Sequence, residues 1–378
     1  MTVTKRFILL LFMFLSVTAY AQDEENDKLK FKLGGALRFN YNYSDWNRGH
    51  QKRGGDFGYD VLLLRPQASY KGFLLDADYR FYVKEFGGPM LKYGWMGYQF
   101  NSKSQIQLGL TRVPFGIQPI NSHCFLFTIT YYVGLEDDAD MGVKYVYAGD
   151  RWEYNLAFYK NADEVLFSPT AETTGDRYGY DIAGRNKEIN QFNAQLFYKW
   201  GTNVKQRIGA SAQFGQIYNL DTERRGTHYA FALHHELNWQ GLSVKTQFAT
   251  YAKNPKNLDG QSRDTIMMTA YGAPYSIASK ANVYTLGIGY TIPVKWGPIH
   301  AIQFYNDFGW LQKWKKEFND SFQNISGIMI AAGPVYAYVD YALGLHQAWL
   351  GPDWSAFAEG TGSNSWHARF NINFGYYF

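Results

Sequence analysis

Charged side chains recur on one face of many short segments in which apolar and polar residues alternate. A period of two puts the two sets on opposite faces of a β-strand. Basic residues exceed acidic ones on the polar faces, and such a mixture attracts small ions when it lines water. The alternative is that many of these charges pair across strands and set no selectivity. The basic residues predicted to line a shared interior are Arg38, Arg65, Arg80, Lys84, Lys144, Arg207, Lys245 and Arg369.

Catalytic chemistry has one candidate, the run His234-His235-Glu236. Adjacent residues of a strand point to opposite faces, so His234 and Glu236 would share the interior and His235 would face outward. A hydrolase needs a nucleophile oriented by a base and a third group. No GxSxG or HExxH element occurs in the chain. We therefore predict a structural role for this run, no enzymatic activity and no cofactor or metal, while a barrel hydrolase remains the alternative.

The elements that would position these residues are segments of about ten residues, and sixteen of them can be counted from Phe31 onward. The connections alternate between seven short turns and eight longer loops, and most prolines and glycines fall in them. This pattern is typical of transmembrane β-barrels. The sequence predicts an all-β fold, a transmembrane antiparallel β-barrel of about 16 strands, porin-like, with both termini on the side of the short turns.

The two ends of the sequence predict the cellular location of the protein. Lys5 and Arg6 precede an apolar run, and Ala19-Tyr20-Ala21 provides a small-x-small cleavage site, as in a secretory signal peptide. At the other end, an apolar face runs through Phe374 and Tyr376 to Phe378, which resembles the insertion signal read by the barrel assembly machinery. We expect residues 1–21 to be a signal peptide, 22–30 a short periplasmic lead-in and 31–378 an outer-membrane β-barrel of a Gram-negative bacterium.

Charge and cysteine content exclude some classes of protein. The formal charge is +4, from 37 Lys and Arg against 33 Asp and Glu, and removal of Lys5 and Arg6 leaves +2. This imbalance is too small to predict a nucleic-acid partner. Cys124 is the only cysteine, so an intrachain disulfide is excluded.

The third long connection, from Pro114 to Ala139, is unusually apolar for an exposed loop and contains no Arg or Lys. Burial against the barrel wall is the better interpretation, because an exposed apolar loop would be a liability. The acidic run at its end could then lie at a constriction, the alternative being a loop end in bulk water. The residues assigned to this constriction loop are Arg112, Pro114, Phe115, Gly116, Glu136, Asp137, Asp138 and Asp140.

Residues 57–147 carry a resemblance to a known family. The runs VLLLRPQASY, FLLDADYRFY, LKYGWMGYQF and IQLGLTRVPFG follow one another, and ADMGVKY begins the next segment. This order resembles the phosphate-selective porin O/P family, whose most specific element matches Pro114-Phe115-Gly116. The resemblance implies a sixteen-stranded porin, often a homotrimer, that passes small hydrophilic solutes and in its best-known members anions such as phosphate.

The chain departs from that family where phosphate would be recognised. Phosphate binding needs clustered cationic donors, preferably bidentate Arg, and the third loop has none. The sequence therefore predicts the fold and a water-filled channel, with outer-membrane lipids, lipopolysaccharide and the assembly machinery as partners, and leaves the solute open. An adhesin or structural barrel without an open channel is the third alternative, because the loops carry basic and aromatic residues suited to surface contact.

Overall fold

The computed structural model describes residues 28–163 and 177–378. The predicted signal peptide lies outside the described residues. Sixteen antiparallel strands close into one barrel, in which each strand pairs with its neighbour along the chain and the last pairs with the first. The barrel strands are β1 Lys30–Ser44, β2 Asp56–Tyr70, β3 Phe73–Phe81, β4 Pro89–Asn101, β5 Ser104–Arg112, β6 Ala139–Ala148, β7 Trp152–Asn161, β9 Asn186–Trp200, β10 Lys205–Asn219, β11 Arg225–Trp239, β12 Leu242–Asn254, β15 Lys280–Trp296, β16 Ile299–Lys313, β17 Ser321–Ala332, β18 Val335–Leu345 and β19 His367–Tyr377.

The predicted strand number, the period of two and the alternation of short and long connections are confirmed. On β11, Leu233 is 64% exposed on the outer wall while the neighbouring His234 is buried inside. Such alternation gives a membrane barrel an apolar outer face and a polar inner one. Among the described residues, no helix is long and apolar enough to span a membrane.

The first and last strands close the wall. Their register runs from Ala36 opposite Tyr377 to Ser44 opposite Arg369. The backbone groups of Gly35 and Phe378 exchange two hydrogen bonds, of 2.9 and 3.0 Å. A Cβ at Gly35 would lie 2.6 Å from the Phe378 ring, so the absent side chain allows this aromatic residue to pack at the seam. Phe374 and Tyr376 lie on the same outward face, as predicted.

The long loops contain structure that the sequence pattern did not predict. A six-residue helix, α1 Arg48–Arg53, lies in the first loop. A separate three-stranded sheet joins β8 Asp181–Ile182, β13 Thr265–Thr269 and β14 Tyr275–Ala278, which come from two different loops. These strands are only two to five residues long, so no alternating pattern can identify them.

One predicted interior residue lies elsewhere. Lys84 was expected at the end of the third strand, but β3 ends at Phe81 and Lys84 begins an exposed 3₁₀ turn, Lys84–Phe86. Gly87 and Gly88 follow with φ of +82° and +71°, a left-handed conformation that glycine adopts at little cost. The chain therefore leaves the wall before Lys84, and this residue is not part of a barrel strand.

Candidate functional site: the barrel interior and its third loop

The third loop, residues 113–138, lies inside the barrel, as its apolar composition predicted. Near its start, Gly116 N donates to Ser211 Oγ of β10 at 3.1 Å, and Ile117 N donates to Gln247 Oε1 of β12 at 2.9 Å. Phe115 and Ile117 are buried. The element Pro114-Phe115-Gly116 therefore carries the chain from β5 across the interior, with Gly116 at φ +63°. A Cβ at Gly116 would lie 2.5 Å from the Gln247 side chain, so glycine also permits the close approach.

Asp307 of β16 holds the middle of the third loop. Its Oδ2 accepts hydrogen bonds from the backbone N–H groups of His123 and Cys124, both at 2.7 Å, and its Oδ1 lies 3.0 Å from His123 Nδ1. Gly287 of β15 faces the same point, where a Cβ would lie 3.0 Å from His123 Nδ1. Bonds to an ionised acceptor are the stronger kind. The Asp307 carboxylate holds the loop, and the absence of a side chain at Gly287 lets the loop approach the wall.

The far end of the third loop joins an aromatic core built from several loops. Tyr131 stacks on Phe127 with ring centroids 4.1 Å apart and packs edge-on against Tyr180 at 4.9 Å. Tyr271 also contacts this group, and the Tyr131 and Tyr271 hydroxyls are 2.6 Å apart. Tyr131 and Tyr180 are buried, and this burial raises the pKa of both above its ordinary value. The aromatic core narrows the end of the barrel that carries the long loops.

The acidic run at the end of the loop does not line an aqueous constriction, contrary to the prediction. Glu136, Asp137, Asp138 and Asp140 are all at least nine-tenths buried. Glu136 accepts hydrogen bonds from the backbone N–H of Asn121 at 2.8 Å and from the hydroxyls of Thr128 and Thr130 at 2.5 and 2.7 Å. Burial raises the pKa of Glu136 in spite of these donors. The glutamate folds the loop upon itself.

Five basic side chains from five consecutive strands form a cluster along one wall, which we call the basic wall. Asp78 of β3 lies 3.0 Å from both Arg65 and Arg80, and Lys92 of β4 is ion-paired with Asp137 of the third loop. The Tyr178 hydroxyl lies 3.1 Å from Lys92 Nζ and 3.0 Å from Asp137. These contacts lower the pKa of Asp137 even though its burial opposes this. The basic wall consists of Arg38, Arg65, Arg80, Lys92 and Arg112.

Water reaches two cations of the basic wall, Arg65 and Arg112, more than it reaches their carboxylate partners. The Arg65 side chain is 39% exposed while that of Asp78 is fully buried. Likewise, the Arg112 side chain is 31% exposed while that of Asp137, 3.8 Å away, is fully buried. Lys144 lies beneath this surface and donates to the Arg112 carbonyl at 2.8 Å. At Arg65 and Arg112 the wall therefore presents positive charge to the aqueous space, in front of the buried Asp78 and Asp137.

The remaining predicted basic residues lie apart from this wall. Arg207 of β10 is 3.1 Å from Glu153 and also donates to the Gln118 carbonyl of the third loop at 2.7 Å. Lys245 of β12 donates to the carbonyls of Ile120 and Ser122 at 3.0 and 3.1 Å. Both support the loop from the far side. Arg369 lines a cavity of about 370 Å³ near the first loop and donates to Asn42.

The histidine pair has the predicted orientation. His235 faces outward and stacks on Trp200, whereas His234 lies inside, with Nε2 3.1 Å from Ser211 Oγ. A serine beside a histidine could be activated only if a third group oriented the ring. His234 Nδ1 has no hydrogen-bond partner among the described residues. Ser211 is also covered by Gly116 of the third loop, so this pair is unsuited to nucleophilic attack.

Sequence reasoning passed over Lys92, Tyr178 and Asp307. Lys92 and Asp307 had a signal, since both are charged residues within alternating segments, although a register shift opposite Asp78 and Tyr79 obscures the face of Lys92. Tyr178 had none, because it lies in a loop whose course is set by packing.

Solved structures of outer-membrane proteins share this architecture over nearly the whole chain. The anion-selective porin from Comamonas acidovorans matches with a TM-score of 0.59 at 12% identity, covering 93% of this chain and 100% of that one. The outer membrane channel DcaP of Acinetobacter baumannii gives 0.58 at 10%, covering 95% and 99%. The trimer form of OmpT, an outer membrane protein of Vibrio cholerae, gives 0.58 at 13%, covering 93% and 100%. This chain has the fold of outer-membrane channels.

No model of a known protein family matches the chain, and no curated protein matches it. The narrower resemblance to phosphate-selective porins is therefore not confirmed. Identities of this size show a shared fold and leave the solute to be argued from the side chains.

Proposed function

We propose that this protein is an outer-membrane channel for passive diffusion of small hydrophilic solutes, with a preference for anions. Its short turns face the periplasm and its long loops the exterior, as in barrels of this class. Sixteen strands enclose a space wide enough for water, and the third loop narrows it without filling it with a separate domain. The observation that carries the anion preference is the basic wall, where Arg65 and Arg112 are exposed above buried carboxylates.

The preference follows from electrostatics in a narrow aqueous space. Rings of Arg and Lys favour anions, and low-dielectric walls increase the effect of each charge. The carboxylates Asp60, Asp76, Asp78 and Asp137 reduce this field but do not cancel it, because four carboxylates face the five cations of the basic wall. Inorganic phosphate is one candidate solute, since Arg65 and Arg112 can each present a planar pair of donors. Homotrimer assembly and contact with lipopolysaccharide are part of the proposal.

Bilayer recordings test this function. We expect the purified protein to give stable conductance steps under a potassium chloride gradient, with a zero-current potential on the anion side. Arg65→Gln combined with Arg112→Gln should move this potential toward zero or reverse it. Lys103→Gln is the matched control, because Lys103 is an exposed cation in a turn, paired with Asp150 at 2.8 Å.

Two outcomes would contradict the proposal. Cation preference in the unmodified protein would show that the buried carboxylates dominate the field. An absence of conductance in correctly folded protein would favour a barrel closed by its aromatic core, and with it the adhesin or structural alternative. Addition of phosphate at constant chloride then tests the finer point, since a phosphate site would block the chloride current in a saturable way.

A further inference from the structure

Three aspartates from two segments of the chain converge beside the third loop. Asp138 ends this loop, Asp140 lies in β6, and Asp181 lies in β8 of the small loop sheet. One carboxylate oxygen from each lies within 4.8 Å of the other two, and all three residues are buried. Oxygen ligands lie about 2.3–2.6 Å from a calcium ion, so ligands on opposite sides are separated by about 5 Å. A single ion can therefore contact all three.

The protein supplies few donors to these carboxylates. Asp138 Oδ1 accepts from the Ala139 N–H at 2.8 Å, and Asp140 Oδ2 accepts from Gln191 Nε2 at 3.0 Å. Asp181 Oδ2 accepts from Arg177 Nη1 at 2.7 Å. Asp140 Oδ1 is buried and has no hydrogen-bond partner among the described residues. A buried carboxylate oxygen left in this state costs free energy, and a bound cation removes that cost.

A residue outside the acidic cluster points to the same place. Thr269 of β13 is the cross-strand partner of Asp181 in the loop sheet. Directly opposed residues place their side chains on the same face, about 5 Å apart. Thr269 is 1% exposed, and its Oγ1 has no hydrogen-bond partner among the described residues. A neutral, unpartnered hydroxyl oxygen on the same face as Asp181 suits a hard cation that prefers oxygen ligands.

The local charge balance leads to the same conclusion. Glu188 is also near, but it is paired with Lys253 at 3.0 Å. Arg177 is shared between Asp181 at 2.7 Å and Asp163 at 3.2 Å, so this one cation faces four carboxylates. Burial first, and the neighbouring carboxylates second, raise the pKa of Asp138. Gly179 lies against the site, where a Cβ would come within 2.3 Å of Asp138 Oδ1. The backbone of this loop is thereby allowed to close over the carboxylates.

We propose that Asp138, Asp140 and Asp181, with Thr269 as a neutral oxygen donor, form a calcium site that ties three loops of the barrel together. The ion would connect the third loop, the loop carrying β8 and the loop carrying β13. Calcium suits the site better than magnesium, because it accepts irregular geometry and carbonyl or water oxygens as further ligands.

The test uses the mature chain refolded in detergent without lipopolysaccharide, which itself binds divalent cations. After treatment with a chelator, calorimetric titration with calcium chloride at pH 7.5 should show one saturable site per chain. Asp140→Asn, which keeps the size of the side chain, should weaken calcium binding at least tenfold. Asp264→Asn is the control, because Asp264 is an exposed loop carboxylate paired with Lys315.

Two results would overturn the proposal. The first is an absence of saturable calcium binding by the unmodified protein at both pH 7.5 and pH 8.5, which would show that the aspartates are neutralised by protons. The second is binding that Asp140→Asn leaves unchanged. Should Asp140→Asn fail to refold, Thr269→Val, which removes one neutral oxygen, is expected to weaken binding by a smaller factor in a folded barrel.

Discussion

The attachment of the third loop to Asp307 leads to a prediction with a definite size. The substitution Asp307→Asn replaces an ionised acceptor of three hydrogen bonds with an amide whose NH₂ group faces donors. Net values of about 1.5–3 kcal/mol for each bond to a charged group set a range of about 4.5–9 kcal/mol for three bonds. We take a value just below this range, about 4 kcal/mol, because the amide oxygen still accepts one bond. That loss raises the detached fraction of the loop about a thousandfold, since 1.4 kcal/mol corresponds to a factor of ten.

The only cysteine of the chain reports on this detachment directly. Cys124 is buried in the third loop, and its own backbone N–H donates one of the hydrogen bonds that Asp307 accepts. We expect its reaction with a maleimide in folded protein to be slow, and to be faster by up to about a thousandfold in Asp307→Asn, following the factor above. Single-channel conductance should become noisier in the same variant, because the segment around His123 and Cys124 would be free to leave the wall while Arg207 and Lys245 still hold residues 118–122.

The attachments nearer the ends of the loop should keep the variant folded. Ser211 and Gln247 still hold residues 116 and 117, and Gln323 donates to the Phe127 carbonyl at 2.8 Å. Asp264→Asn again serves as the control and should change neither the labelling rate nor the conductance. The reasoning is refuted if Asp307→Asn migrates as a folded barrel in unheated gels and yet labels Cys124 at the unmodified rate. Ser243→Ala, which removes only the 3.0 Å contact to His123 Nε2, should shift both readouts in the same direction by less.

Three further predictions concern orientation, the membrane face and pH. A cysteine introduced at Arg224, in a loop, should react with an impermeant maleimide on whole cells, and one at Thr202, in a turn, should not; the reverse pattern would overturn the proposed orientation. Leu233→Arg on the outer face should destabilise the barrel in lipid by about 2–4 kcal/mol. Urea unfolding in vesicles measures this effect, with Leu233→Ala as the control. An equal loss of stability in both variants would contradict the assignment of this face to lipid. Burial raises the pKa of Asp181 to about 8, so in chelator-treated protein this carboxyl contributes stability that is fully present below about pH 4 and is lost as the pH rises through about 8. The urea midpoint should therefore fall less steeply between about pH 5 and pH 9 in Asp181→Asn than in the unmodified protein, and equal slopes would be inconsistent with this shift.

The sequence predicted the barrel wall and missed most of what lies inside it, for a physical reason. A strand facing water on one side and lipid on the other must alternate, so the pattern around Leu233 and His234 is readable from the residues alone. The packing of the loops is set by contacts between distant segments. Asp138 and Asp181 meet through a three-stranded sheet too short to leave a pattern, and Lys84 was misplaced because an alternating run continued past the end of β3. The third loop was an exception, because its apolar composition was enough to predict its burial.

The same limit explains the misplaced constriction. An acidic run at the end of an inward loop suggests carboxylates facing water, but the sequence does not show what stands opposite them. In the structure Lys92 faces Asp137, and hydroxyl groups from the loop itself face Glu136. These partners bind both carboxylates inside the protein, whereas part of the Arg65 side chain is exposed to water.

The pairing of β1 with β19 sets the order of events in folding. Asn42 and Arg369, which meet at this seam, are separated by 327 residues of chain. Contacts between residues so far apart in sequence form slowly, because the entropy of closing a large loop is lost before the contact contributes any stabilising free energy. Until then, β1 presents an unpaired edge to any other strand. A newly made chain must therefore be kept apart from other copies of itself until β1 and β19 have paired. The rate of this pairing, rather than the stability of the finished barrel, should limit the fraction of the protein that folds.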